Sequence, residues 1–94
     1  MANLYHFFIA RTPGVTRENV ERILNSAEDW FRYYDTCYVV ETSQSPKQWE
    51  KDLESVFKPD GYLFICKLDK SHYYGWMPTD FWKWYQAKSP TLED

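Results

Sequence analysis

Two helical stripes separate three aromatic-rich runs, and this alternation restricts the chain more than any other feature it carries. The runs are Leu4–Ala10, Trp30–Thr42 and Tyr62–Leu68. Each is dense in aromatic and β-branched residues, which suit a pleated, buried surface. Pro13-Gly14 ends the first run in a turn. After it, Thr16 is placed to cap a helix over Arg17–Ser26, in which Val20, Ile23, Leu24 and Ala27 share one face. The middle run is long enough for two strands, with Asp35-Thr36 as the tight turn between them. Ser45-Pro46-Lys47-Gln48 then reads as a helix start. Ser45 is expected to accept from the backbone of Gln48, and the Gln48 side chain to reach back. Trp49, Leu53, Val56 and Phe57 form the second stripe, stopped by Lys58-Pro59-Asp60-Gly61. Beyond the third run, Thr79 opens a short helix carrying Phe81, Trp82 and Tyr85.

The resulting order, strand-helix-strand-strand-helix-strand, predicts an α+β ferredoxin-like domain. Four antiparallel strands stand in the order 4-1-3-2, with both main helices on one face. The 94 residues are read as one domain over 1–87, with a polar tail at 88–94 that frays. Helices on one face leave the other needing a cover, supplied either by the C-terminal segment or by a second copy. Alternation sends Cys37 and Val39 one way and Tyr38 and Val40 the other. Tyr38, Val40, Trp76 and Trp84 are the interface candidates, and a homodimer is expected. Trp82 and Trp84 lie about 200° apart on a helix, so one of them should face away from the core. Cys37 and Cys66 fall on strands flanking the first one, about 9–10 Å apart. That exceeds the reach of a disulfide, so both should be free thiols.

Eleven basic residues against fourteen acidic ones give a formal charge of −3, which disfavours a generic polyanion binder. No apolar run is long enough to span a bilayer and no signal peptide is evident, so a cytoplasmic protein without membrane contact is expected. Asp35, Asp69 and Asp80 read as turn, strand-end and first-turn helix residues rather than as a metal site. His6 lies inside an apolar strand and reads as a packed, hydrogen-bonded ring, whereas His72 lies in a polar loop. Arg11 and Arg32 lie near aromatic residues, a composition suited to phosphate contact and base stacking. Arg11, Arg32, Tyr34 and His72 are therefore the ligand-binding candidates. No catalytic residue, metal or cofactor is expected.

Two stretches resemble a known family. Residues Trp30 to Thr42, WFRYYDTCYVVET, are similar to the W-x-x-Y/L-D-x-x-W/Y-L/V-V-x-T pattern of small SinR-like proteins of bacteria and phages. Residues Gly75 to Trp84, GWMPTDFWKW, resemble that family's G-W-L-P-x-x-x-W-x-W ending, and Pro13-Gly14 falls at its turn. The resemblance covers about Leu4 to Tyr85. It implies a ferredoxin-like homodimer similar to the small CRISPR-associated endoribonuclease and to virulence-associated protein D. Those nuclease relatives carry an Asp near the end of the first strand, where this chain has Ile9. An aliphatic side chain cannot ligate Mg²⁺. The expected function is thus a non-catalytic, homodimeric interaction module that binds a protein partner, or a nucleotide or RNA, in a host or mobile-element setting. A metal-dependent endoribonuclease with an atypical site and a small nucleotide-binding protein are the alternatives.

Overall fold

The computed structural model describes residues 2–69 and 71–88. Strands β1 (Asn3–Ala10), β2 (Asp29–Tyr34), β3 (Cys37–Thr42) and β4 (Tyr62–Lys67) form one antiparallel sheet. Its order is β2-β3-β1-β4, which is 4-1-3-2 read from the opposite edge. Helices α1 (Arg17–Leu24), α2 (Pro46–Asp52) and α3 (Glu54–Phe57) pack on one face, and α4 (Thr79–Lys88) packs on the other.

The face under α1, α2 and α3 is a closed core. Phe7 and Ile9 of β1 and Tyr38 and Val40 of β3 meet Val20 and Leu24 of α1, and Trp49, Leu53 and Val56 beyond them. Trp49 meets Phe7 edge-on, and its indole N–H donates to the buried Thr42 Oγ1 at 3.1 Å. Thr16 caps α1 in a full capping box, but its reciprocal partner is Asn19. The box expected at Ser45 is only half formed. Ser45 Oγ accepts from Gln48 N, while the Gln48 amide donates to Asp52 Oδ1 at 2.8 Å, one helical turn on. A carboxylate acceptor outcompetes the return bond to the cap. The second stripe also breaks at Leu53 into two short helices.

Two expected boundaries change. The first helix ends at Leu24, two residues before Ser26. Lys88, assigned to the tail, instead ends α4, where its ammonium group lies 2.6 Å from Asp29 and 3.1 Å from Glu41. Residues 89–94 of that tail lie outside the described residues. No helix among the described residues is long and apolar enough to cross a membrane.

Candidate functional site

The second face of the sheet divides into a covered half and an open half. On the covered half, Leu4 and Val39 pack against Phe81 and Tyr85 of α4, with Phe31 of β2 alongside. Phe31 meets Phe81 at 5.5 Å between ring centroids and Trp84 at 5.6 Å. Trp84 is half-buried, and its indole N–H donates to Asp29 Oδ2 at 3.0 Å. Trp82 is half-buried as well, on the opposite flank of Phe81 and Tyr85. The helix therefore straddles the sheet, and both tryptophans are partly covered, contrary to the expectation that one turns away.

On the open half, β1 presents His6, Phe8 and Ala10, and β4 presents Tyr62, Phe64 and Cys66. The register sets them as direct neighbours: His6 opposite Cys66, Phe8 opposite Phe64 and Ala10 opposite Tyr62. The alternate residues Leu63 and Ile65 pack into the core on the other side. Tyr62 is 72% exposed and Phe64 63% exposed. None of these six side chains is a carboxylate, ammonium or guanidinium group.

Between the two halves lies a cavity of about 270 Å³. His6, Tyr33, Tyr73, Met77, Trp82 and Tyr85 contribute to its wall. The rings form a continuous chain of contacts. His6 lies 5.6 Å from Tyr33, and Tyr33 lies 5.8 Å from Phe81. Phe81 stacks on Tyr85 at 5.6 Å, Tyr85 meets Tyr73 at 4.8 Å, and Tyr73 lies 5.8 Å from Trp82. A register shift between Arg32 and Tyr34 makes Tyr33 the extra residue of β2, and its ring joins the α4 side of the sheet. There its hydroxyl lies 2.5 Å from His6 Nε2.

Titration behaviour follows from this packing. Burial lowers the pKa of the His6 imidazole, because it disfavours the imidazolium. Burial, with the nearby Cys37 thiol, pushes the Tyr33 hydroxyl up to about 12. Burial also raises Tyr85, helped by Tyr73 and by the charge of Asp69. Asp69 itself is held down to about 2, first by the Ser71 hydroxyl and then by the Ser71 backbone N–H and His72. Neutral phenols, a neutral imidazole and an ionised carboxylate at the rim are thus the groups present at neutral pH.

The expected site residues come together only in part: Arg11 and Arg32 join one ion-pair network through Asp35, Arg17 and Glu21. Arg11 pairs with Asp35 at 3.6 Å beside the β2–β3 turn, and Arg32 pairs with Glu21 of α1 at 3.1 Å. Tyr34 is exposed near that turn. His72 lies beyond the other end of the sheet, where Leu68 N bonds Leu4 O, and its Nδ1 is 2.8 Å from Asp69 Oδ2. His72 is therefore set apart from Arg11 and Arg32, which share one charged network. Two interface candidates are also corrected. Tyr38 and Val40 are buried under the helices, because their side of β3 is the helix-covered one. Trp76 is 97% exposed.

Asp35, Asp69 and Asp80 serve local roles. Asp35 bonds arginines at a turn, Asp69 accepts from Ser71, and Asp80 accepts from Phe81 N at 3.0 Å. Among the described residues, no group of three or more His, Cys, Asp or Glu side chains is placed to hold a metal ion. Ile9 is buried in the helix-side core. Cys37 and Cys66 are both free thiols.

Sequence reasoning missed Tyr33, Tyr73 and Phe64. Period-two alternation along Tyr62–Cys66 was available to place Phe64 on the face opposite Leu63 and Ile65. The same alternation along β2 places Tyr33 on the face of Phe31, opposite Arg32, whereas Tyr73 lies in a loop that carries no such period.

No protein-family model matches the chain, and neither a curated protein nor a solved structure does so.

Proposed function

We propose that this protein is a non-catalytic interaction module that works as a homodimer, joined through the open aromatic half of its sheet. The observation that carries this reading is the uncharged face of β1 and β4, with Phe8 opposite Phe64 and Tyr62 beside them. A contiguous exposed patch of this kind favours an interface. A two-fold contact brings residues near its axis against their own copies. Charged groups would repel there, whereas uncharged rings do not. A nucleic acid would instead need cations to neutralise its phosphates. This face has none, and the nearby Arg11 is engaged by Asp35. The nucleotide and RNA readings are weaker for that reason.

The βαββαβ order supports a ferredoxin-like reading of the fold, in keeping with the SinR-like resemblance of residues 30–42 and 75–84. A cytoplasmic protein of a host or mobile-element system fits the same resemblance. With Ile9 packed in the core, the endoribonuclease alternative has no strand-one carboxylate to build on. Trp76 and Tyr74 stay exposed outside the dimer face and are the anchors for a protein partner.

Paired variants test the assignment by light scattering after gel filtration. Phe64→Arg places a cation beside its own copy and should halve the particle mass, while Trp76→Arg should leave it unchanged. Dissociation by Trp76→Arg with Phe64→Arg silent would move the interface to the loop. Neither variant altering the mass would remove the sheet-face interface.

A further inference from the structure

We propose that the pocket between α4 and the sheet binds a small organic cation, a quaternary ammonium or protonated amine, held by its aromatic wall. Tyr33, Tyr73, Phe81, Trp82 and Tyr85 contribute five rings to one cavity, linked by contacts of 4.8–6.3 Å. The faces of such rings carry the negative part of the ring quadrupole and attract cations, tryptophan most strongly. No lysine or arginine is among the described residues lining the cavity.

The surroundings agree in sign. Leu68 lines the pocket and Asp69 follows it in the chain. The Asp69 carboxylate lies close enough to raise the pKa of Tyr85 electrostatically, so its charge is felt at the wall. His6, the one imidazole in the lining, has its pKa lowered by burial, which keeps it uncharged at neutral pH. An anionic ligand would meet this carboxylate, itself 2.8 Å from the His72 ring, with no lysine or arginine among the described lining residues to offset it. A cation meets ring faces and a negative rim.

Size narrows the ligand further. Pockets for drug-sized molecules run from roughly 300 to 1,000 Å³. At about 270 Å³ this cavity lies just below that range and suits a compact head such as trimethylammonium. The site lies within one chain, so it does not depend on the dimer proposed above.

Calorimetric titration of the full chain at pH 8 tests the assignment, with choline chloride as probe. Its uncharged carbon isostere, 3,3-dimethylbutan-1-ol, is the control. The two have nearly the same shape and differ in charge. Choline should bind about tenfold more tightly than the alcohol, the scale of a desolvated cation–π contact. Tyr73→Leu and Trp82→Leu should each weaken choline about tenfold while leaving the thermal midpoint close to that of the parent, because both side chains are only partly buried. Asp69→Asn should weaken it less. Equal binding of the alcohol would overturn the cation assignment and leave an apolar pocket. Choline binding unaffected by both ring variants would place the site elsewhere. No heat from choline up to about 10 mM would also overturn the proposal, since it bounds the affinity below any specific contact.

Discussion

Thr42 and Trp49 are both buried, and the hydrogen bond between them satisfies an indole N–H that water cannot reach. Thr42→Val keeps the shape but removes that acceptor, and also the one used by Gln44 N at 3.0 Å. The expected cost is about 1–3 kcal/mol in urea unfolding. A change under half a kilocalorie would mean that the indole finds another partner. His6 carries a second consequence of burial. Its folded pKa lies below the ordinary value of 6.5. As the pH falls through that ordinary value, the unfolded chain takes up a proton at His6 while the folded chain does not. Stability therefore falls from about pH 6.5 downward, until the half-buried ring is itself protonated. Asp69 acts in a separate, more acidic window. Its stabilising effect is present above about 3.8 and is lost as the pH falls towards about 2. His6→Gln should flatten the decline in melting temperature between about pH 7 and pH 5 relative to the parent. An unchanged slope would show that burial does not hold the His6 imidazole in its neutral form.

At the scale of elements, Gly61 sets how closely β4 can start beside β1. A Cβ there would overlap the Ala10 carbonyl oxygen and lie 2.8 Å from both Phe57 O and Thr12 N. All three are backbone atoms and cannot swing aside. Gly61→Ala should therefore cost about 3 kcal/mol or more, read as a lowered denaturation midpoint. A cost below 1 kcal/mol would show that the turn yields. The strands and the two helical stripes were legible in the sequence, because hydrophobic period and turn chemistry are local. The Gln48 return bond was not, since Asp52 competes for the same amide from a turn away. Nor was the inward side of β3. Alternation correctly separates Tyr38 and Val40 from Cys37 and Val39, but which set meets the helices is decided by tertiary packing.

At the scale of the molecule, the informative feature is a sheet covered fully on one face and by half on the other. The sequence posed the cover of the second face as a choice between the C-terminal segment and a second copy. The structure seats α4 over Leu4, Val39 and Phe31, while Tyr62 and Phe64 remain exposed beyond it. The helix takes one half, and a second copy is proposed for the other. The candidate site was less legible than the fold. Arg11 and Arg32 stood out by residue type, yet in three dimensions each faces a carboxylate. The aromatic pocket, by contrast, gathers residues from β1, β2, the segment before α4 and α4 itself, which no local pattern brings together.

Sedimentation equilibrium of the unmodified protein at micromolar concentration tests the central claim most directly. A homodimer gives a particle of two 11.4 kDa chains, and this is the expected result. A single 11.4 kDa species across the concentration range would contradict it and leave Phe64 and Tyr62 facing a different protein.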